Sequence, residues 1–370
     1  MSQAATAPLT FEVTRRSDPL PDAEREAVLA NPGFGTTFTD HMVLATWTRG
    51  QGWHDARVTA YGPISLMPSA AVLHYAQEIF EGMKAYRHED GSVWTFRPEA
   101  NAQRMIRSAR RLTLPELPED DFIGSLRALV EVDQNWVPAH GTGETSLYLR
   151  PFMFASEAFL GVRPAHQVTY SVIASPAGAY FPGGIKPVTI WVSSHYSRAG
   201  AGGTGAAKCG GNYASSLAGQ LEGIEHGCEQ AVFLDSATQS YVEELGGMNL
   251  FFVTKGGQLV TPELSGSILE GITRSSIIEL AKELGLEPVE RKVSIQEWKD
   301  GAASGEISEI FACGTAAVVT PVGELRWEGG TADHRRGVGY GEVTRTIRER
   351  LLDIQYGRAE DTHGWMTRLV

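Results

Sequence analysis

A stretch rich in proline and glycine divides the 370-residue chain into two parts, and each part mixes strand and helix patterns. Residues 175–187 hold three prolines and three glycines and show no hydrophobic period. A stretch of this kind is typical of a connection between domains. It predicts a partly irregular N-terminal extension over residues 1–33, a smaller α/β domain over 34–174, a linker over 175–187 and a larger α/β domain over 188–370.

Hydrophobic periodicity predicts the elements on both sides of the linker. We expect strands at residues 42–47, 61–67, 92–96, 146–154, 168–174, 188–193 and 307–313, and a four-stranded meander at 230–234, 240–244, 250–254 and 258–261. We expect helices at residues 22–29, 100–112, 120–136, 213–226, 274–284, 295–304 and 340–356. Two mixed α/β domains with much antiparallel sheet fit this order best.

Composition excludes several classes of function. With 32 Lys and Arg against 44 Asp and Glu, the net charge is −12, which argues against nucleic acid or an anionic membrane as a partner. The longest apolar run, residues 310–322, has 13 residues, whereas a membrane span needs about 20. The three cysteines show no C-x-x-C spacing, so we expect no metal site, no disulfide framework and a cytoplasmic protein.

Six glycines surround Lys208 within residues 199–211. A phosphate-binding P-loop is excluded, because Ala207 and Cys209 flank the lysine where that motif needs Gly and Ser or Thr. A dinucleotide fingerprint built on glycines 200, 202 and 205 is a weak match, since strand and helix are not adjacent to it. The remaining alternatives are a solvated surface loop and a partly desolvated lysine that forms a Schiff base with a carbonyl group.

Two further stretches could bind anions. Gly271-Ile272-Thr273 precedes a predicted helix, whose N-terminus attracts a phosphate or carboxylate, although an ordinary helix cap has the same pattern. Thr315 and Ala316 follow a predicted strand, at the position where ligands bind in many α/β proteins; a simple turn is the alternative.

Charged residues stand on two predicted strands. Tyr148 and Arg150 share one strand face, and Arg150 needs either a protein carboxylate or an anionic substrate as its partner. Glu243 and Glu244 point to opposite faces, so we expect one of them to face inward, where a carboxylate needs a cation.

Together these motifs resemble one family, the branched-chain amino-acid aminotransferases, which are pyridoxal 5′-phosphate enzymes of fold type IV. The resemblance runs from residue 34 to the C-terminus. It rests on residues 34–42, 81–85, 147–151, 178–182, 208–213, 244–249, 271–274 and 314–316. It implies two mixed α/β domains with the cofactor between them.

The resemblance also implies the cofactor site. Lys208 matches the lysine that binds the cofactor and moves a proton during the reaction. Glu244 matches the carboxylate beside the pyridine nitrogen, Tyr213 the phenol beside the ring oxygen, and Arg104 the arginine that binds phosphate. The rest of the implied phosphate site consists of Gly271, Ile272, Thr273 and Thr315.

Substrate binding, as the resemblance implies it, combines apolar walls with one anion anchor for leucine, isoleucine, valine, glutamate and their 2-oxo acids. Arg150 is the anchor for the side-chain carboxylate of glutamate, and Thr315 and Ala316 hold the α-carboxylate. The walls are Phe34, Tyr75, Tyr148, Leu160, Val162 and Tyr180. Tyr75, Leu160 and Val162 are expected from the partner subunit of a homodimer.

Other functions remain as alternatives. Within the same fold they are a D-amino-acid aminotransferase and an aminodeoxychorismate lyase. Outside it they are a nicotinamide-dependent dehydrogenase that uses the glycines of residues 200–205, and a phosphate-binding module without catalytic activity.

Overall fold

A computed structural model describes residues 8–179, 184–333 and 341–370. Its helices are α1 (Asp22–Ala30), α2 (Ala71–Tyr75), α3 (Pro98–Arg111), α4 (Glu119–Val132), α5 (Gly210–Glu225), α6 (Ile272–Glu283), α7 (Ile295–Ser304) and α8 (Glu342–Gln355). Its strands are β1 (Glu12–Val13), β2 (His41–Thr48), β3 (Gly52–Ala60), β4 (Glu78–Phe80), β5 (Met83–Arg87), β6 (Val93–Phe96), β7 (Ser146–Ala155), β8 (Gln167–Ala177), β9 (Val188–Ser193), β10 (Gln230–Leu234), β11 (Val242–Leu245), β12 (Asn249–Thr254), β13 (Gln258–Thr261), β14 (Glu287–Glu290), β15 (Ile307–Gly314), β16 (Val318–Trp327), β17 (Gly330–Asp333) and β18 (Met366–Arg368). In the described ranges, no helix is long and apolar enough to cross a membrane.

The chain forms two compact units, which are not two successive stretches of sequence. The first unit contains the described part of residues 1–180, together with Ala207–Gly210 and Ile354–Val370. The second contains the described part of residues 181–206 and Gly211–Asp353. The sequence predicts residues 207–210 and 354–370 as part of the larger second domain. They belong to the first unit because the Phe80 N–H donates to the Lys208 carbonyl (2.9 Å) and β18 pairs with β6.

The first unit contains a sheet in the order β1-β3-β2-β8-β7-β5-β6-β18, with β4 attached to β7. Its longest pairing is antiparallel and joins β7 to β8 along all of β7. Alternation along β7 buries Leu147 and Leu149 and leaves Tyr148 and Arg150 half-buried. Helices α3 and α4 pack Met105, Phe122 and Leu126 into the same core. Burial of these apolar side chains is the main stabilising contribution to this unit.

The second unit contains a mixed sheet in the order β11-β10-β9-β16-β15-β12-β13-β14, with β17 attached to β16. Strand β9 lies parallel to both β10 and β16, whereas β12, β15 and β16 pair in antiparallel fashion. Helix α7 supports this sheet with Trp298, whose ring packs edge-on against Phe252 of β12 at 5.1 Å between centroids. The carboxyl end of β15 and the start of α6 carry predicted site residues, so this unit positions part of the site.

Most of the predicted elements are confirmed, usually to within two residues at their ends. The predicted strand at 61–67 is wrong: this segment is irregular, and the strand lies earlier, at β3. Pro63 and Pro68 lack the N–H that a sheet ladder requires, which the alternating pattern concealed.

The predicted four-stranded meander is also wrong. Strands β10 and β11 form one antiparallel pair, and β12 and β13 form another. In the hydrogen-bonded order, four strands lie between β11 and β12. Consecutive strands were expected to be neighbours, but β12 is paired on its other side by β15, a strand far away in the sequence.

Candidate active site

The predicted site residues are divided between the two units. The first unit carries Phe34, Tyr75, Arg104, Tyr148, Arg150, Leu160, Val162 and Lys208. The second unit carries Tyr213, Glu244, Gly271, Ile272, Thr273, Thr315 and Ala316. Tyr180 lies outside the described residues.

In the first unit, the charged groups of Lys208 and Arg150 both contact the aromatic ring of Phe80. The Lys208 Nζ lies 4.9 Å from the centroid of Phe80, and the Arg150 guanidinium carbon lies 4.8 Å from the same centroid. Both side chains are half-buried, and a cation over a partly desolvated ring face is stabilised by about 1–2 kcal/mol. The predicted nucleophilic amine and the predicted anion anchor therefore contact the same ring. Phe80, which the sequence analysis did not single out, joins them.

Arg150 retains capacity to bind an anion. Its Nη2 donates to the Tyr148 hydroxyl (3.0 Å), while its Nε is buried and has no hydrogen-bond partner among the described residues. In the part of the chain that the structure describes, no salt bridge to Arg150 is formed. The alternative that Arg150 serves a protein carboxylate is supported by a charge interaction with Glu78, which opposes the rise in the pKa of that carboxyl, but not by an ion pair. A buried donor without a partner is costly, so a ligand carboxylate at this position would be favourable.

Tyr148 is fixed by its neighbours. The ring of Phe34 packs edge-on against it, at 5.2 Å between centroids. Gly82 lies so close to the phenol that a Cβ at this position would overlap the Tyr148 hydroxyl. Glycine is therefore required at residue 82 for steric reasons. It leaves room for the Tyr148 hydroxyl, which accepts a hydrogen bond from Arg150.

Arg104 is committed to an ion pair that the sequence analysis did not predict. Its Nε and Nη2 donate to the carboxylate of Glu81 at 2.8 and 2.7 Å, and Asn101 donates to the same carboxylate. Burial opposes ionisation of Glu81, but Arg104, Lys208 and Asn101 outweigh it and lower the pKa of Glu81. Two guanidinium nitrogens of Arg104 are thus engaged within the protein, and its role in phosphate binding stays a prediction.

Tyr75, Leu160 and Val162 form a separate group on the surface of the first unit. Val162 is 88% exposed and Leu160 66% exposed. The Tyr75 hydroxyl donates to the Leu160 carbonyl (2.5 Å) and so links α2 to the loop after β7. The three residues are exposed in the single chain, as a contribution to a second subunit would require.

In the second unit, Glu244 is almost completely buried and has a strong partner. Arg198 contacts its carboxylate at 2.9 Å, and the Leu269 N–H donates to it as well. The same arginine donates to the carbonyl groups of Gly205 (3.1 Å) and Ser267 (3.0 Å). Arg198 therefore compensates the buried charge of Glu244 and holds two loops beside it.

The expectation that only one residue of the acidic pair faces inward is wrong. Glu243 is 8% exposed and Glu244 1% exposed, because the segment carrying Ser267 and Leu269 covers this end of β11. The Ser267 hydroxyl donates to Glu243. Burial raises the pKa of Glu243, although the bond from Ser267 and the charge of Arg198 oppose the shift.

Helix α6 begins after Gly271, which is in extended conformation and, as a glycine, offers no side chain as a cap. A Cβ at residue 271 would overlap the amide oxygen of Asn249, which explains the glycine. Thr273 is buried in the first turn. A helix N-terminus with a buried hydroxyl has the donor chemistry that a phosphate requires.

Thr315 and Ala316 occupy the turn between β15 and β16. The turn enters β16 through Val318, whose φ of 60° is rare for a β-branched residue. Val318 nevertheless pairs with Gly314 at the start of β16. The ring of Tyr213 in α5 packs against Gly247 of the same unit. A Cβ at residue 247 would lie 3.0 Å from that ring.

Sequence reasoning missed Phe80, Glu81 and Arg198. The first two lie in or beside the 81–85 motif, so their position pointed to the site even though their contacts could not be read. Arg198 stands just before the glycine-rich stretch, and the inward-facing carboxylate that was predicted on β11 required a cation.

Comparison with known proteins identifies the family. Residues 78–325 match the family model for amino-transferase class IV. A branched-chain-amino-acid aminotransferase of Mycolicibacterium smegmatis is 58% identical over 98% of this chain and 99% of that protein. The crystal structure of the Escherichia coli branched-chain amino acid aminotransferase superposes with a TM-score of 0.73 and 29% identity, covering 88% of this chain and 99% of that one.

A third comparison includes a bound ligand. The crystal structure of the branched-chain aminotransferase from Thermoproteus uzoniensis with norvaline matches with a TM-score of 0.72 and 25% identity, over 89% of this chain and 100% of that one. The fold is therefore that of these enzymes. The chain belongs to the class IV aminotransferases and, within them, to the branched-chain-amino-acid aminotransferase family.

Proposed function

We propose that the protein catalyses reversible amino transfer between leucine, isoleucine or valine and 2-oxoglutarate. The observation that carries the proposal is the placement of Lys208 and Arg150 at the same Phe80 ring, 4.9 and 4.8 Å from its centroid. This arrangement supplies an amine for the chemistry and, beside it, a cation for the one substrate that has a charged side chain. The high identity to branched-chain aminotransferases supports the same conclusion.

The residues of the chain suit pyridoxal 5′-phosphate as cofactor. When bound, this group supplies an aldehyde that reacts with amines and a ring that accepts electrons. Lys208 would hold the aldehyde carbon, Glu244 the ring nitrogen and Tyr213 the ring oxygen. The N-terminus of α6, with the hydroxyls of Thr273 and Thr315 and the arginine at 104, would hold the phosphate.

Each residue has a task in this mechanism. With the cofactor bound and Lys208 released from it by the substrate amine, Lys208 Nζ would take a proton from the substrate Cα and pass it to the cofactor. Glu244 would keep a proton on the ring nitrogen, and Arg198 holds the Glu244 carboxylate in place. The N–H groups of Thr315 and Ala316 orient the substrate α-carboxylate.

Discrimination between apolar and charged substrates follows from the side chains grouped around Tyr148. Phe34 and Tyr148 offer apolar walls to leucine, and the Nε of Arg150, which has no partner among the described residues, offers an ion pair to glutamate. Tyr180 is proposed as a further wall. A site of this kind accepts both substrates without a large rearrangement.

We further propose a homodimer in the cytoplasm. The exposure of Tyr75, Leu160 and Val162 supports a second subunit that covers them and receives them into its own pocket. The three cysteines are free and buried, as expected in a reducing compartment.

The decisive test uses Lys208→Ala and Lys208→Arg, with Lys255→Ala, a substitution of a turn residue, as control. We expect both Lys208 variants to fold and to lose leucine and glutamate turnover, because neither retains an amine nucleophile at neutral pH. Borohydride reduction of the wild type, followed by peptide mapping, should place the cofactor on Lys208. Turnover of leucine by Lys208→Ala would refute the proposal.

The wild type also distinguishes the two alternatives within the fold. Preferential turnover of D-alanine would favour a D-amino-acid aminotransferase, and pyruvate release from aminodeoxychorismate would favour an aminodeoxychorismate lyase.

A further inference from the structure

Hydrogen bonds within the first unit hold the backbone around Lys208, and three of them are made to other segments of that unit. The Lys208 N–H donates to the Ser108 hydroxyl of α3 (2.9 Å), and the Lys208 carbonyl accepts from the Phe80 N–H (2.9 Å). Two residues later, the Gly210 N–H donates to the carboxylate of Glu78. Two of these three bonds come from β4, which has only three residues.

Glu78 has no role in the mechanism derived so far, yet its surroundings are those of a site residue. It is half-buried, and burial raises the pKa of its carboxyl group, against the bond from Gly210 and the charge of Arg150. A Cβ at residue 210 would overlap this carboxylate, so glycine is needed for the contact. Gly210 is also the first residue of α5, where N–H groups lack partners within the helix.

We propose that Glu78 is a positioning residue, which fixes the backbone of residues 208–210 through Gly210 and so holds the Lys208 amine in its place beside Phe80. The inference rests on the proposed function of Lys208. Strand β4 acts as one rigid support: Glu78 holds the backbone after Lys208, the Phe80 N–H holds the Lys208 carbonyl, and the Phe80 ring contacts Nζ. Without the Glu78 bond, the segment would lose its attachment at Gly210 and keep those at Lys208.

Glu78 could act as a hydrogen-bond acceptor or through its negative charge, and the proposal requires only the first of these properties. Its role needs a hydrogen-bond acceptor, not a negative charge, so Glu78→Gln should retain it and Glu78→Ala should lose it. Glu116→Ala is the matched control, since Glu116 is a carboxylate of the same unit whose partner is the exposed Arg110. All variants are studied as holoenzymes.

We expect Glu78→Ala to lower kcat on the order of 10- to 100-fold, because small misplacements of a catalytic group cost this much. The loss should be the same for the leucine and the glutamate half-reactions, with KM little changed, because Lys208 serves both. Amide hydrogen exchange in the peptide covering residues 207–213 should accelerate in Glu78→Ala only. Glu78→Gln and Glu116→Ala should match the wild type in both measurements.

Three results would overturn the proposal. Unchanged exchange at residues 207–213 in Glu78→Ala would show that the bond does not fix the segment. A loss confined to glutamate would show that Glu78 acts through the charge of Arg150. A Glu78→Gln variant as impaired as Glu78→Ala would show that charge is required. Failure of the proposed function is recognised separately, because the wild type would then lack leucine turnover while the exchange result would still stand.

Discussion

Arg198 and Glu244 form an ion pair with 2.9 Å between their charged atoms, and both side chains are almost completely buried, at 5% and 2% exposed. In such a pair, each charge is tolerated only because the other is present. Arg198 also donates to the carbonyl groups of Gly205 and Ser267, which lie in two loops. The pair therefore both balances the buried charge of Glu244 and holds these loops in place.

Loss of Arg198 should therefore destabilise the protein strongly. We expect Arg198→Met to lower the free energy of unfolding by about 3–5 kcal/mol, because it leaves a buried carboxylate uncompensated. Arg198→Met combined with Glu244→Gln should cost less than the sum of the two changes. Urea denaturation measures these values, and additive costs would contradict the coupling. Arg291→Met is the control: its pair with Glu297 is about 40% exposed, and its loss should cost less than about 1 kcal/mol.

The two neighbouring glutamates should differ in activity although both are buried. Glu244→Gln should bind the cofactor and lose most of its turnover, because an amide cannot keep the ring nitrogen protonated. Glu243→Gln should retain turnover, because its amide oxygen still accepts from Ser267. Steady-state kinetics on both variants, with thermal melts, tests this. Similar losses in the two variants would contradict the separate roles.

Arg150→Leu should impair glutamate far more than leucine. Removal of one partner of a partly buried charge pair costs about 2–5 kcal/mol, or roughly 30- to several thousand-fold in kcat/KM. Leucine has no side-chain charge to lose. Single-turnover kinetics with each amino acid measures the ratio, and Arg163→Leu, at an exposed arginine of the same unit, is the control. Equal losses for both substrates would exclude the anchor role.

Gly82→Ala should disturb Tyr148 without a direct contact to substrate. The added methyl group overlaps the phenol, so Tyr148 must move and its bond from Arg150 (3.0 Å) should break. We expect a lower kcat/KM for glutamate and a smaller loss for leucine. At Gly62 an added Cβ meets open space, so Gly62→Ala should behave like the wild type. Wild-type kinetics for Gly82→Ala would show that the Tyr148 position does not matter.

Asp235 should make stability depend on pH in the acid range. Burial opposes its ionisation, but N–H groups of Thr238, Ser240 and Tyr241 outweigh this and lower its pKa to about 2. The folded-state pKa lies below the unfolded value of about 3.9, so the contribution is present above that value and is lost as the pH falls towards the folded pKa. The difference in urea midpoint between wild type and Asp235→Asn should be constant from pH 7 to pH 5 and shrink below pH 4. A difference independent of pH would contradict this assignment. Asp300→Asn, at an exposed residue of α7, should show no such trend.

The sequence by itself determined the elements with strong periodicity and the chemistry that this protein carries. Helix α3, strand β7 and strand β9 could be placed because their spacing repeats within a few residues. The motifs around Lys208, Glu244 and Gly271 indicated the family because rare residue types stand there in a fixed order.

Tertiary structure decided what depends on contacts between distant segments. The pairing of β12 with β15, the burial of both Glu243 and Glu244, and the return of residues 207–210 to the first unit have no local signal. The residue that pairs with each buried arginine also has no local signal in the sequence. Arg198 and Glu244 are 46 residues apart, so their contact depends on how loops close over β11 rather than on the residues next to either one. Periodicity reports only the face that a residue presents; the group that meets that face is determined by folding of the whole unit.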